Sequence, residues 1–497
     1  MILNNLLKSF KQVKGFYFLF TTEMWERYGF YVVQTLLIFY LLHKLTIADA
    51  QAYSIVSKFT ALAYINCVFG GLIADKLIGI DKAVILGGVL LLIAYIMLAM
   101  SKNLHFMTIS LSLITVATGL LKPNISSMLS VLHNNTRSSD SNKYSIASAY
   151  TLYYIGLYIG VLLGSLCGGY IKQFFGFEFA FFSAAFVMCL ALGIFVIGRL
   201  YYKLTDDNFT TRFTQLSAYF VTLIIIITLF TISYLVLHYN FLGELYFIIM
   251  ACLSGVYLLY NIIRSSGVQK IKYILFSILI ILAVFYWAIY FQQFLSFSVY
   301  IDRFSKISLP VSAMSSIEAL GVIVFGFILN AIWQYFASKN IHINIFYKFI
   351  IALICNSIAI LFLIFSIILS IKLGLNFGVI MICVIYIILA IGEISISPAS
   401  LYMVHTLIPK NQTAIMTGIS LLSIGFGAKL AGVLSLLTTI NINGIVATKA
   451  KMLDLQLTYL QSFVYYLFFS IASIILAIII ICKSKNLKQL LLNLKDD

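Results

Sequence analysis

Glu23, Glu26 and Arg27 stand in TTEMWERYGFYVVQ, residues 21–34, a stretch otherwise apolar enough to cross a bilayer. On a helix, positions 23, 26, 27, 30 and 34 follow the i, i+3, i+4, i+7, i+11 spacing. Two carboxylates and one guanidinium therefore share a face with Phe30 and Gln34, and Tyr31 lies beside them. Charge at membrane depth is costly, and is tolerated where it faces a water-filled cavity or pairs internally. The chemistry open to this face is proton exchange and capture of an anionic group, with Arg27 keeping at least one glutamate ionised. The alternative is a self-neutralised structural triad at a helix end.

Other polar residues interrupt apolar runs further on. Lys122 precedes Pro123 in mid-run, where a lysine side chain is too far from either end to snorkel to water. Glu393 lies in GEISISP, with Ser397 one turn on and Pro398 expected to break the helix. Tyr286, Tyr290 and Gln293 fall on one helical face with Gln292 adjacent, a spacing that serves packing as readily as a site. The run GGLIADKLIGIDK places Gly71, Asp75 and Gly79 four apart, followed by Lys82. Its glycines allow a tight turn, and Asp75 can latch onto a neighbouring helix N-terminus and basic residues. Gly156, Gly160, Gly164 and Gly168 make a flat stripe that lets another helix pack closely and slide, read as structural at a gate-forming crossing, with Gly418, Gly425, Gly427 and Gly432 a looser counterpart.

These residues need helices to position them, and composition supplies helices of one kind. The chain of 497 residues is 62% hydrophobic and 10% charged, with mean hydropathy +1.05. A soluble chain is nearer a quarter charged, so this is an all-α polytopic membrane protein. Strand-period alternation is absent, which argues against a barrel. Fourteen apolar runs of spanning length recur from 16–44 to 458–482. With the N-terminus inside, the inner segments hold 20 Lys and Arg and the outer segments eight, with four inside runs. That bias supports fourteen spans with both termini cytoplasmic. The arrangement reads as 6+2+6: an N-terminal bundle over 1–201, an inserted hairpin with linkers over 202–270, and a C-terminal bundle over 271–497. The pair at 214–263 reads as free of buried charge, and the Asn/Ser-rich segment 133–143 as a short inner loop. The net charge of +16 is spread over short loops rather than gathered on one face, which argues against nucleic acid. The seven cysteines lie in apolar runs without metal-ligand spacing and read as small hydrophobes. No signal peptide with a small-residue cleavage site is expected; the first helix, entered after Lys8, Lys11 and Lys14, serves as the insertion signal.

The glycine–aspartate loop resembles the signature of the major facilitator superfamily. The stretch from Glu23 to Tyr31 is similar to the paired-glutamate–arginine–aromatic motif of its proton-dependent oligopeptide transporter family. FTALAY (59–64), GLLKPNISS (119–127), LYYIGLYIG (152–160), FYWAIYFQQ (285–293) and GEISISPASL (392–401) extend the resemblance through most of the chain. The resemblance implies a major facilitator fold, in which two six-helix bundles rock around a central site. It implies that Arg27 and Lys122 hold a peptide carboxylate, that Tyr31 and Tyr64 line the site, and that Glu393 meets the amino group. It also shows departures. Tyr158 and Glu318 stand where asparagines are common, and Phe291 where many members have an acid. Glu318 can substitute as a partner for Lys122, while Lys429 can pair with Glu318 or Glu393.

The expected activity is proton-coupled symport of di- and tripeptides across a bacterial inner membrane. Glu23, Glu26 and Arg27 would couple protons. Arg27, Tyr31, Gln34, Tyr64, Lys122, Tyr158, Tyr290, Gln293, Glu318, Glu393 and Ser397 would bind substrate, and Gly71, Asp75 and Gly79 would gate. No cofactor beyond protons, no metal and no enzymatic activity is expected, and a monomer is expected to suffice. The runner-up is a transporter of the same family for an amino acid, a drug-like acid or nitrate. A membrane receptor without transport ranks below both.

Overall fold

The computed structural model describes residues 15–136, 146–202, 214–305, 307–339, 344–373, 378–409, 412–439 and 449–483. The basic entry at Lys8, Lys11 and Lys14, the end of the 133–143 loop and most of the first hairpin linker lie outside the described residues.

The described chain is helical because apolar runs of this length leave their backbone groups no water to bond, and only a helix satisfies them within the segment. In chain order these are α1 (Phe16–Phe39), α2 (Asp49–Ile73), α3 (Ile80–Ala99), α4 (Leu104–Thr136), α5 (Ile146–Phe175), α6 (Phe177–Tyr202), α7 (Gln215–His238) and α8 (Asn240–Arg264). They continue with α9 (Gly267–Tyr290), α10 (Ser296–Phe304), α11 (Ser315–Ser338), α12 (Ile345–Leu373), α13 (Val379–Leu407), α14 (Thr413–Ser435) and α15 (Lys449–Lys483). Thirteen segments are long and apolar enough to cross a membrane, α9 and α10 together making one of them. The fourteenth is α1, whose 24 residues are interrupted only by its three charges. The chain is a multi-pass membrane protein, with thirteen candidate spans among the described residues and α1 as a further long helix.

Two compact units emerge. The first comprises Met1–Tyr40 with Leu62–Asn240. Within it, α1 packs on α5 and α6, α3 on α4 and α6, and α4 on α7. The second comprises Leu41–Ala61 with Phe241–Asp497. Here α12 packs on α13 and α15, α9 on α14, and α11 on α13. Its core is aromatic, with Tyr300, Tyr386, Tyr459, Phe463 and Tyr466 buried together. The first half of α2 and the hairpin helix α8 thus group with the second unit, and the hairpin's α7 with the first.

Pro398 does not break its helix: α13 runs through it to Leu407. A proline leaves one carbonyl a turn earlier without its amide donor, a loss that neighbouring helices and hydroxyls can offset in a membrane. Pro123 is likewise inside α4. The aromatic face of α9 is cut at its end, because Phe291–Phe294 tighten into a 3₁₀ turn before α10. That turn changes the register, so Gln293 does not continue the face of Tyr286 and Tyr290 as an α-helix would place it.

Candidate functional site

In the first unit α1 brings its three charges together as the spacing predicts. Arg27 Nε lies 3.3 Å from Glu23 Oε1, one turn back. Both Nε and Nη2 of Arg27 reach Glu26 Oε2. All three side chains are buried, at 2% exposure or less. One oxygen of each glutamate, Glu23 Oε2 and Glu26 Oε1, has no hydrogen-bond partner among the described residues. The guanidinium also lies 5.4 Å from the Phe30 ring centroid, an electrostatically favourable face. Lys122 of α4 sets its ammonium 3.9 Å over the Tyr64 ring. Tyr31, Tyr64 and Lys122 all lie within electrostatic reach of the triad. Gln34 is buried on the same helix, while Tyr158 of α5 is buried with its ring beside Tyr154.

What fixes α1 is the glycine stripe of α5. A Cβ at Gly156 would meet the Phe20 ring, one at Gly160 the Met24 carbonyl oxygen at 2.1 Å, one at Gly164 the Tyr28 carbonyl oxygen at 2.5 Å, and one at Gly168 the Val32 side chain. The stripe is therefore the seat of the charged helix. Two residues that spacing did not single out complete the surroundings. Tyr153 of α5 is buried against Glu23, and Tyr95 of α3 fills the space left by Gly29.

The loop after α2 takes the form of a π-helical turn over Ala74–Ile78, closed by Gly79 at φ +88°. That backbone state favours glycine at position 79. A side chain at Gly71 would meet nothing within 4 Å, so the turn does not need that glycine for space. Asp75 is exposed. The buried acid of this region is Asp81, held by Arg199 of α6 at 2.9 and 2.8 Å. Motif spacing pointed to Asp75 and passed over Asp81, which carries no pattern of its own.

In the second unit Glu318 of α11 and Glu393 of α13 converge on one hydroxyl. Tyr290 Oη lies 3.2 Å from Glu318 Oε1 and 3.0 Å from Glu393 Oε2, and all three residues are buried. Phe291 is buried beside Tyr290. Ser397 is half-buried one turn beyond Glu393. Gln293 is buried with both amide atoms lacking a partner among the described residues, whereas Gln292 is tied to the Ala431 carbonyl, Ser296 and Ser435. Gln292 is thus a structural residue.

Lys429 pairs with neither Glu318 nor Glu393. Its ammonium bonds Glu244 Oε1 at 2.5 Å, and a Lys side chain extended towards α8 cannot also serve α13. Glu244 is itself 52% exposed, so the hairpin still holds no buried charge at this pair, and Lys58 of α2 shares the neighbourhood. Elsewhere in this unit, Arg303 holds Asp49 by two parallel bonds of 2.7 Å, with His43 on Asp302 at 2.9 Å. This cluster has no sequence signal, because its members lie some 250 residues apart and none is buried.

The sequence model of the POT family matches residues 81–450. Dipeptide and tripeptide permease A of Proteus mirabilis is 26% identical over 436 residues, covering 86% of each chain. Among solved structures, a peptide transporter POT in complex with sulfate superposes with a TM-score of 0.80 at 21% identity, covering 96% of each chain. A POT family transporter in complex with 5-aminolevulinic acid gives 0.77 at 22% identity, over 95% of this chain and 96% of that one.

Proposed function

Because this chain belongs to the POT family of transporters, we propose that it imports di- and tripeptides together with protons by alternating access. The observation that carries the reading is Arg27 held by two buried glutamates on a membrane helix. Arg27 and Lys122 carry two positive charges and Glu23 and Glu26 two negative ones. The group is balanced when all four are ionised. One proton on either glutamate leaves an excess positive charge, which a ligand carboxylate matches. Loss of the proton restores the Arg27 pairing and expels the ligand. A peptide also has an ammonium, and Glu393 with Glu318 offers the complementary negative pole. To substrate binding we also assign Tyr31, Tyr64, Gln34 and Tyr158 of the first unit and Tyr290, Gln293 and Ser397 of the second. Gly71, Asp75 and Gly79 act in gating.

The functional division we propose is a bundle over 1–201, the hairpin over 202–270 and a bundle over 271–497. The termini face the cytoplasm, the protein lies in a bacterial inner membrane, and one chain is the transporting unit. The permease relative supports the peptide reading. The relative solved with 5-aminolevulinic acid favours a second: a small zwitterion other than a peptide.

The test is uptake into proteoliposomes under an imposed inward proton gradient. Labelled dialanine should accumulate, and unlabelled di- and tripeptides should compete while single amino acids do not. Accumulation of the label independent of the gradient would refute the coupling. Competition by single amino acids or 5-aminolevulinic acid but not by peptides would select the second reading.

A further inference from the structure

The convergence of Glu318 and Glu393 on Tyr290 has a stoichiometry. A tyrosine hydroxyl has one hydrogen and donates one bond. Yet Tyr290 Oη is within hydrogen-bond distance of both carboxyls, at 3.2 and 3.0 Å. The hydroxyl can donate to one oxygen only. The other contact is a hydrogen bond only if that carboxyl is itself protonated and donates to Oη. The bonded arrangement of the three groups therefore contains at least one proton on the two acids. Burial reinforces this count, since Glu318 is 1% and Glu393 7% exposed, and adjacent carboxylates in a buried site do not both ionise readily.

The surroundings are hydroxyls and a thiol. From α9 come Tyr286 and Tyr290, from α12 Cys355, and from α13 Tyr386. The lysine of α14, Lys429, is engaged by Glu244. Tyr286 adds an independent observation. It is fully buried and stacks on Tyr290, and its hydroxyl lies 3.2 Å from where a Cβ on Gly392 would be, beside Glu393. That hydroxyl has no hydrogen-bond partner among the described residues. A buried polar group without a partner is costly, and here it lies within electrostatic reach of both acids.

We propose that Glu318, Tyr290 and Glu393 form a proton-holding acid pair, one carboxyl protonated and one ionised, presenting a monovalent site for a primary ammonium. The proton belongs to the pair rather than to either residue. The retained proton keeps the pole at one negative charge, matched to one ammonium. Glu318 is then a specificity-determining residue. It converts a lone carboxylate into a carboxylate backed by a neutral hydrogen-bond donor, and the Tyr286 hydroxyl is free to accept from the ligand. The ligand part of this inference rests on the peptide reading; the proton count does not.

Two measurements on the purified full chain separate these. Infrared difference spectra of wild type against Glu318→Gln and against Glu393→Gln, without ligand at neutral pH, should each lose the same protonated-carboxyl C=O stretch. Absence of that band difference in both variants would overturn the proposal. Tyr290→Phe keeps both acids and should move the band to higher frequency as the hydroxyl bond is lost, which decides the matter should either acid variant fail to assemble. Next, dialanine binding is compared with that of N-acetyl-dialanine, which lacks the ammonium. The acetylated ligand should bind wild type about tenfold or more weakly. Equal binding of the two would overturn the ammonium site. Wild type that shows the band and binds no dialanine would instead refute the peptide reading while the acid pair stands.

Discussion

Gly160→Ala is the sharpest test of what positions the charged face. The added Cβ would lie 2.1 Å from the Met24 carbonyl oxygen and 2.9 Å from Arg27 Cβ. Real contacts of this kind stay beyond 3.0 Å, so α1 and α5 must part locally by about 0.9 Å. The obstacle is backbone, so no side-chain rotation relieves it. Overpacking of this sort costs about 1–3 kcal/mol, and a rigid carbonyl puts the cost near the upper end. The intrinsic helix preference for Ala over Gly returns up to about 1 kcal/mol, which leaves about 2 kcal/mol of net destabilisation. Gly193→Ala is the control: nothing lies within 4 Å of its Cβ, and it should stabilise by about 0.5–1 kcal/mol. The two substitutions should therefore differ by about 3 kcal/mol, read as opposite shifts of the melting midpoint in detergent. Because Arg27 sits at the point of collision, dialanine uptake by Gly160→Ala should fall on the order of 10- to 100-fold, as ångström displacements of acting groups do. A Gly160→Ala protein that melts with the Gly193→Ala protein and transports at the wild-type rate would refute the reasoning.

Three further outcomes are expected. Glu23→Gln should abolish proton-driven accumulation of dialanine while sparing its counterflow, and intact accumulation would sink the competition for Arg27. Lys429→Gln should lower the melting midpoint, and the exchange Lys429→Glu with Glu244→Lys should recover it. The double-mutant cycle should give a coupling of about 0.5–3 kcal/mol, and a coupling of zero would remove the bond between hairpin and α14. Asp81→Asn should cost about 1–3 kcal/mol by leaving Arg199 short of its charged partner; a melting midpoint equal to wild type would show that pair to be idle.

The fold was legible because hydropathy acts on whole segments. The charged face of α1 was legible for a local reason, since a helix at i, i+3 and i+4 brings Glu23, Glu26 and Arg27 together whatever surrounds it. Partners across helices were not. Lys429 was matched to the acids that the motifs had already drawn attention to, yet Glu244, in a helix whose one other charge is the terminal Arg264, is its partner. Spacing selected Asp75 because glycines flank it, although the buried acid is Asp81, whose partner lies 118 residues away. Proline at 398 was read by its effect on an isolated helix, and packing overrode it. Glu318 was recognised as a departure, but its partner could be read only once α9, α11 and α13 were placed.

The register of the glycine stripe carries the argument further. Gly156, Gly160, Gly164 and Gly168 each face a residue of α1, namely Phe20, Met24, Tyr28 and Val32. Both series advance by four, so the two helices mesh one rung per turn over three turns. Sliding either helix by a fraction of a turn would drive a side chain of one into the backbone of the other, because the closest approaches are to carbonyl oxygens. Small-residue seams permit close approach, but a seam this regular resists the sliding that a flat stripe would allow. The charges at 23, 26 and 27 lie between the rungs at 20, 24 and 28. Any movement of α1 that carries Arg27 towards or away from a ligand must then carry α5, with Tyr153 and Tyr158, as one body. On the proposed reading, the exchange at Arg27 is made by protons and side-chain rotation within a fixed pair of helices, where two glutamates stand within reach of one guanidinium.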